Sequence, residues 1–186
     1  MSRLADNGCL SDVISGWFPQ AQSRTNADVR FLAHLRLLAL DWGELGLVAG
    51  RSMSVPIPKP LVGIELPYLS APLRWLWILF LESPEGLAVD CEWGDDARFN
   101  DWGPRDGNVY ASTPDPRATP EAMAERASHW VRTQAGRAVR RDDWSGRRPR
   151  TRWTFEDTGA ILCETRFAFW GRGAMPDATR TETMDH

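Results

Sequence analysis

Lysine is almost absent from this sequence. Lys59 stands alone against twenty-one Arg in 186 residues. Arg, Ala, Gly and Pro have GC-rich codons and Lys does not. The bias therefore reads first as a high-GC bacterial genome and only second as selection for guanidinium chemistry. Cysteine is scarce as well. The three Cys are far apart and odd in number, which argues against a disulfide framework and for a reducing compartment. There are three His, one of them the last residue, which makes a metal centre built on imidazole a poor expectation. No apolar run approaches the roughly 20 residues of a membrane-spanning helix. The first residues scatter apolar positions among Asp6, Asn7 and Asp12 and do not form a secretory signal. The chain is thus expected to be cytoplasmic, with no membrane partner.

Catalytic motifs are missing too. The sequence contains no G-x-S-x-G, no P-loop, no dinucleotide-binding glycine pattern, no C-x-x-C and no H-E-x-x-H. No catalytic residue and no cofactor is assigned from sequence.

What is present is an ordinary globular composition. Hydrophobic content of 42% and charged content of 25% fit a soluble fold. A chain of this length is expected to form one domain, residues 26–170, after an arm at 1–25 docked through Trp17 and Phe18 and before a polar, disordered tail at 171–186. Ten Trp are many. Most lie in apolar patterns, so the core is their first destination. The net charge of −3 says little about partners.

The pattern organises the chain around residues 73–93. Residues 73–81 are apolar at nearly every position, and Trp75, Trp77 and Phe80 favour a strand over a short buried helix. Glu82-Ser83-Pro84-Glu85-Gly86 is turn chemistry. Leu87, Val89, Cys91 and Trp93 then alternate with Ala88, Asp90 and Glu92. This predicts a central hairpin, with Trp75 or Trp77 facing the core.

A first helix is expected over 27–42, capped at Thr25-Asn26, closed by Gly43, and carrying His34 on its wet side. The alternating prolines of 55–60 read as an edge strand or rigid connection. Residues 62–66 and 108–112 read as strands. Thr119-Pro120-Glu121 starts a second helix that ends near Ala135, with a Glu125–His129 pair on its surface. Residues 139–144, 151–155 and 161–169 read as further strands. The expected fold is α+β: a single antiparallel sheet of about six strands with two main helices packed on it.

Charge is unevenly spread. Residues 82–106 hold Glu82, Glu85, Asp90, Glu92, Asp95, Asp96, Asp101 and Asp106 against Arg98 and Arg105. Residues 137–152 hold Arg137, Arg140, Arg141, Arg147, Arg148, Arg150 and Arg152 against Asp142 and Asp143, with Trp144 and Trp153 interleaved.

Three functions follow as expectations. The first is a non-enzymatic accessory protein, toxin-neutralising or adaptor-like, that binds another protein through Asp90, Glu92, Asp95, Asp96, Asp101 and Asp106. The second is nucleic-acid binding by Arg140, Arg141, Trp144, Arg147, Arg148, Arg150 and Arg152, with guanidinium on phosphate and indole on base. The third is a metal-dependent hydrolase built on the 90–106 carboxylates, although these do not match an EF-hand spacing. A fourth reading is purely structural: acidic loop and basic hairpin neutralise each other.

Overall fold

The computed structural model describes residues 16–19, 21–55, 57–69, 73–94, 109–145, 149–165 and 175–183. Two helices and nine strands are found among them. Helix α1 spans Asn26–Leu38 and tightens into a 3-10 helix over Ala39–Leu45. Strands β1 (Ser52–Ser54), β2 (Leu61–Glu65), β3 (Trp75–Ser83), β4 (Gly86–Trp93) and β5 (Val109–Ala111) follow. Helix α2 spans Pro120–Ala135, and β6 (Val139–Trp144), β7 (Arg150–Phe155), β8 (Ile161–Thr165) and β9 (Ala178–Glu182) complete the chain. No helix among the described residues is long and apolar enough to cross a membrane.

The α+β class holds, but the single six-stranded sheet does not. The strands form two antiparallel sheets, one of five in the order β1-β2-β3-β4-β5 and one of four in the order β8-β7-β6-β9. Period-2 alternation tells which face of a strand is buried and leaves its neighbour undetermined. Here α2 intervenes, and the hairpin that follows it starts a sheet of its own.

Both helices begin as their sequences dictate. The Asp28 amide donates to Thr25 Oγ1 at 3.1 Å while the Thr25 amide donates to Asp28 Oδ2 at 3.1 Å, a reciprocal capping box. Thr119 caps α2 through the Ala122 amide, with Pro120 in the first turn. Gly46, at φ 71°, closes the first helical segment in place of Gly43, because the last turns wind as 3-10 and carry the chain three residues further.

The helices lie side by side on one face of the first sheet. Phe31 stacks on Phe80 with centroids 4.4 Å apart. Arg30 reaches Glu121 with two bonds of 2.8 Å, and His34 Nε2 lies 3.6 Å from Glu125 Oε1. Each pair is four residues beyond the last on both helices, so α1 and α2 run in the same sense. His34 is therefore half-buried at a helix seam rather than on the wet side, and Glu125 pairs with it rather than with His129.

The inner face of the sheet is Leu76, Ile78, Phe80, Val89, Cys91 and Trp93, all in the hydrophobic core. Trp75 and Trp77 fall in the other phase of β3. Neither joins that core, although Trp77 is only 4% exposed. The two indoles stack at 5.6 Å on the outer face, Trp77 lies over Gly63 of β2, and its N–H donates to the Gly94 carbonyl at 2.7 Å. The run 73–81 is apolar throughout because β3 buries both faces. Apolarity alone could not say which tryptophan lay where.

The second sheet adds Val139, Trp153, Phe155 and Leu162 to the same hydrophobic core. Trp93 meets Phe155 edge-on at 5.5 Å and donates its N–H to Gln134 Oε1 at 3.2 Å. Arg137, just past α2, lies 3.2 Å over the Phe155 ring and bonds Asp157 in the β7–β8 turn. Two segments outside the expected domain also take part. Trp17 and Phe18, from the arm, are buried against Trp42, with Arg36 donating to the carbonyls of both. Ala178–Glu182, within the stretch read as a disordered tail, pairs with β6 as β9. Its Thr179 and Thr181 hydroxyls donate to Asp142 and Glu156, which anchors a strand that has no apolar alternation to announce it.

Candidate functional site: an acidic hairpin and an arginine ladder

The acidic stretch is built on the β3–β4 hairpin. Glu82 and Glu85 are exposed at its turn. Asp90 projects from the outer face of β4, opposite Leu79 and Ala111, and is half-buried. Burial pushes its carboxyl up from the usual range, with a backbone hydrogen bond from Ser112 pulling the other way. Glu92 lies two residues on, buried between Trp77 and Val109 in the register. Among the described residues, Glu82, Glu85 and Asp90 make no ion pair. Asp95, Asp96, Asp101 and Asp106 lie outside the described residues.

The basic stretch forms the middle of the second sheet, and its charges run in rungs across it. On one face Arg140 meets Asp142 at 3.3 Å, and Arg150 and Arg152 converge on Glu164, the latter at 3.5 Å. Trp144 lies beneath both of these arginines, 4.4 Å from Arg150 and 5.6 Å from Arg152. On the other face Arg141 pairs with Asp143 at 3.0 Å and Glu182 at 3.8 Å, and lies 5.3 Å over Trp153. The described part of the chain from Arg137 onward carries six Arg and seven carboxylates. The indole face of Trp144 that would stack on a base carries guanidinium instead. Arg147 and Arg148 lie outside the described residues.

Glu164 and Glu182 were not singled out in the sequence, yet they are what neutralises the ladder. The signal was available in the phase of alternation. Arg150, Arg152 and Glu164 occupy the same face of adjacent strands once β7 and β8 are paired at Arg152↔Glu164. The carboxylates that meet these arginines come from their own sheet, and among the described residues Glu82, Glu85 and Asp90 make no ion pair with them.

The ladder sets an acid limit on the fold. The Arg137 hydrogen bond to Asp157 holds that carboxyl below the usual carboxylate range. Burial raises Asp143, but hydrogen bonds from Thr151 and Arg141 and the nearby positive charges outweigh it, and the net direction is down. A carboxyl depressed in the folded state stabilises the fold above its unfolded pKa of about 3.9. That stability is lost as pH falls through the folded value. The thermal midpoint should thus hold from neutrality to about pH 4 and fall below it. Asp157→Asn should lower the plateau and shrink the acid-side drop. A midpoint flat to about pH 2 would contradict the ladder.

Burial, aided by the charge of Asp90, pushes the Cys91 thiol well up, so it is held as an unreactive thiol. Cys9 lies outside the described residues. Among the described residues no three His, Cys, Asp or Glu side chains come close enough together to hold a metal ion. In comparisons with protein-family models, curated proteins and solved structures, nothing matches the chain.

Proposed function

We propose that the protein acts by binding another protein, without catalysis, and that the acidic β3–β4 hairpin is its recognition surface for a basic partner. The observation that supports this is the contrast between the two charged stretches. The described arginines of the basic stretch have carboxylate partners in the strands of the second sheet or, for Arg137, in its β7–β8 turn. Glu82, Glu85 and Asp90 are left with their charge unspent by any ion pair among the described residues. Asp95, Asp96, Asp101 and Asp106 extend the same run in sequence. An uncompensated patch of one sign accelerates encounter with its opposite and disfavours like-charged partners. A toxin-neutralising or adaptor role is one such use.

The test is capture from the native host with a tagged protein, followed by the charge-reversed variant Glu82→Lys/Glu85→Lys. A stoichiometric basic partner is expected. Its association rate should fall about tenfold in the variant at low salt, with the fold intact. Unchanged kinetics rule the surface out. Recovery of nucleic acid that is lost as salt rises would transfer the role to the arginine ladder.

A further inference from the structure

Helix α1 is apolar on two sides. Its inner side, with Phe31, Leu35 and the following Trp42, belongs to the core. Its outer side carries Val29, 51% exposed, and Leu37, 50% exposed, with the exposed Ala33 midway between them. Leu40 continues the row in the 3-10 extension and is half-buried. These positions fall on one stripe of a helix. A surface helix ordinarily turns polar side chains to solvent opposite its core stripe, and along this row α1 does not. The two arginines that border the stripe are drawn away from it. Arg30 is held by Glu121, and Arg36 by the carbonyls of Trp17 and Phe18.

Charge at the ends of the stripe says what fits it. Arg24 sits just before the helix, and Asp41 and Glu44 sit at its far end. All three are exposed, and none makes an ion pair among the described residues. We propose that this stripe is a homodimer interface, in which α1 of a second copy crosses antiparallel with Ala33 on Ala33. A two-fold axis there sets Val29 against the partner copy's Leu37. It also sets Arg24 near the partner copy's Asp41 and Glu44, at both ends of the seam. Ala33, the smallest side chain on the stripe, lies where the two backbones come closest. The surface is self-complementary in shape and in sign, as an isologous contact requires. Arg30 falls opposite the partner copy's Arg36 in this register, with its charge already offset by Glu121.

Sedimentation equilibrium from about 1 μM to about 1 mM, the range of transient complexes, should show a reversible monomer–dimer equilibrium. Leu37→Glu should raise the dissociation constant at least about tenfold, because each dimer loses two buried leucines. Arg24→Glu alone should weaken the dimer severalfold, as should Asp41→Arg/Glu44→Arg. The three changes together should restore it, which a merely destabilised fold would not do. Ala33→Cys should form a disulfide-linked dimer under mild oxidation, where the parent chain does not. All the altered side chains are exposed, and unchanged thermal midpoints confirm folding. A monomer across the whole range overturns the proposal. So does a dimer whose dissociation constant ignores Leu37→Glu and the charge swap, since that dimer forms through another face.

Discussion

Trp42→Ala should lower the unfolding free energy by about 3–5 kcal/mol, the range for emptying a large aromatic site in a core. Trp42 is fully buried and ties three parts of the chain together. Its ring takes the edges of Trp17 at 5.3 Å and Phe18 at 6.1 Å, so it seats the segment that precedes α1. Its N–H donates to Ser128 Oγ of α2 at 3.2 Å, which ties the 3-10 extension of α1 to the middle of α2. Ser128→Ala should cost less, about 1–3 kcal/mol, by leaving a buried N–H without an acceptor. In a Trp42→Phe background the same serine change should cost almost nothing, because the donor is gone. Urea midpoints for the parent and the four variants measure this. A loss below about 1 kcal/mol for Trp42→Ala would mean that the aromatic cluster does not bear on stability.

Gly63→Val should be nearly as damaging, by at least about 3 kcal/mol, for an opposite reason. A glycine inside a strand is normally a weakness that a β-branched residue repairs. At Gly63 a Cβ would stand 2.6 Å from Trp77 Cζ3 and 2.9 Å from Cε3. The indole cannot step aside cheaply. Its N–H is engaged by the Gly94 carbonyl and its face is stacked on Trp75. Trp77→Ala by itself should cost about 3–5 kcal/mol. The combination decides the matter. In the Trp77→Ala background Gly63→Val should turn from harmful to neutral or stabilising, a sign reversal that only direct overlap produces. Additive losses would show that the ring does not rest on that glycine.

Much of the fold was legible in the sequence, and what was missed has a common cause. The β3–β4 hairpin, both helix starts and the β6–β7 hairpin are local: Thr25, Thr119 and the Ser83–Gly86 turn act within a few residues. Sheet membership is not local, and so two sheets were read as one. The same limit explains His34, whose partner Glu125 comes from another helix. It explains β9, whose threonines are strand-like only in the presence of Asp142 and Glu156. At the candidate site, the sequence located both charged stretches but could not weigh them. Adjacent rows of Arg look like a cationic surface until Glu164 and Glu182 are brought beside them. The outer stripe of α1 was hidden differently. Val29 and Leu37 look like core residues by type, because a helix pattern rich in Leu and Val does not show where core ends and surface begins.

The central position of β6 gives the second sheet a history. One neighbour, β7, begins close by along the chain, with Trp144 of β6 opposite Arg150. The other, β9, is reached only after β7, β8 and the chain beyond them, when Asp143 meets Ala178. Short closures form early and long ones late, since more chain must be ordered before the contact is rewarded. On an inner antiparallel strand, successive amides point to alternate neighbours. Every second amide of β6 is therefore shielded from solvent exchange as the hairpin zips, and the ones between stay open until β9 arrives. A strand six residues long carries two clocks, interleaved residue by residue.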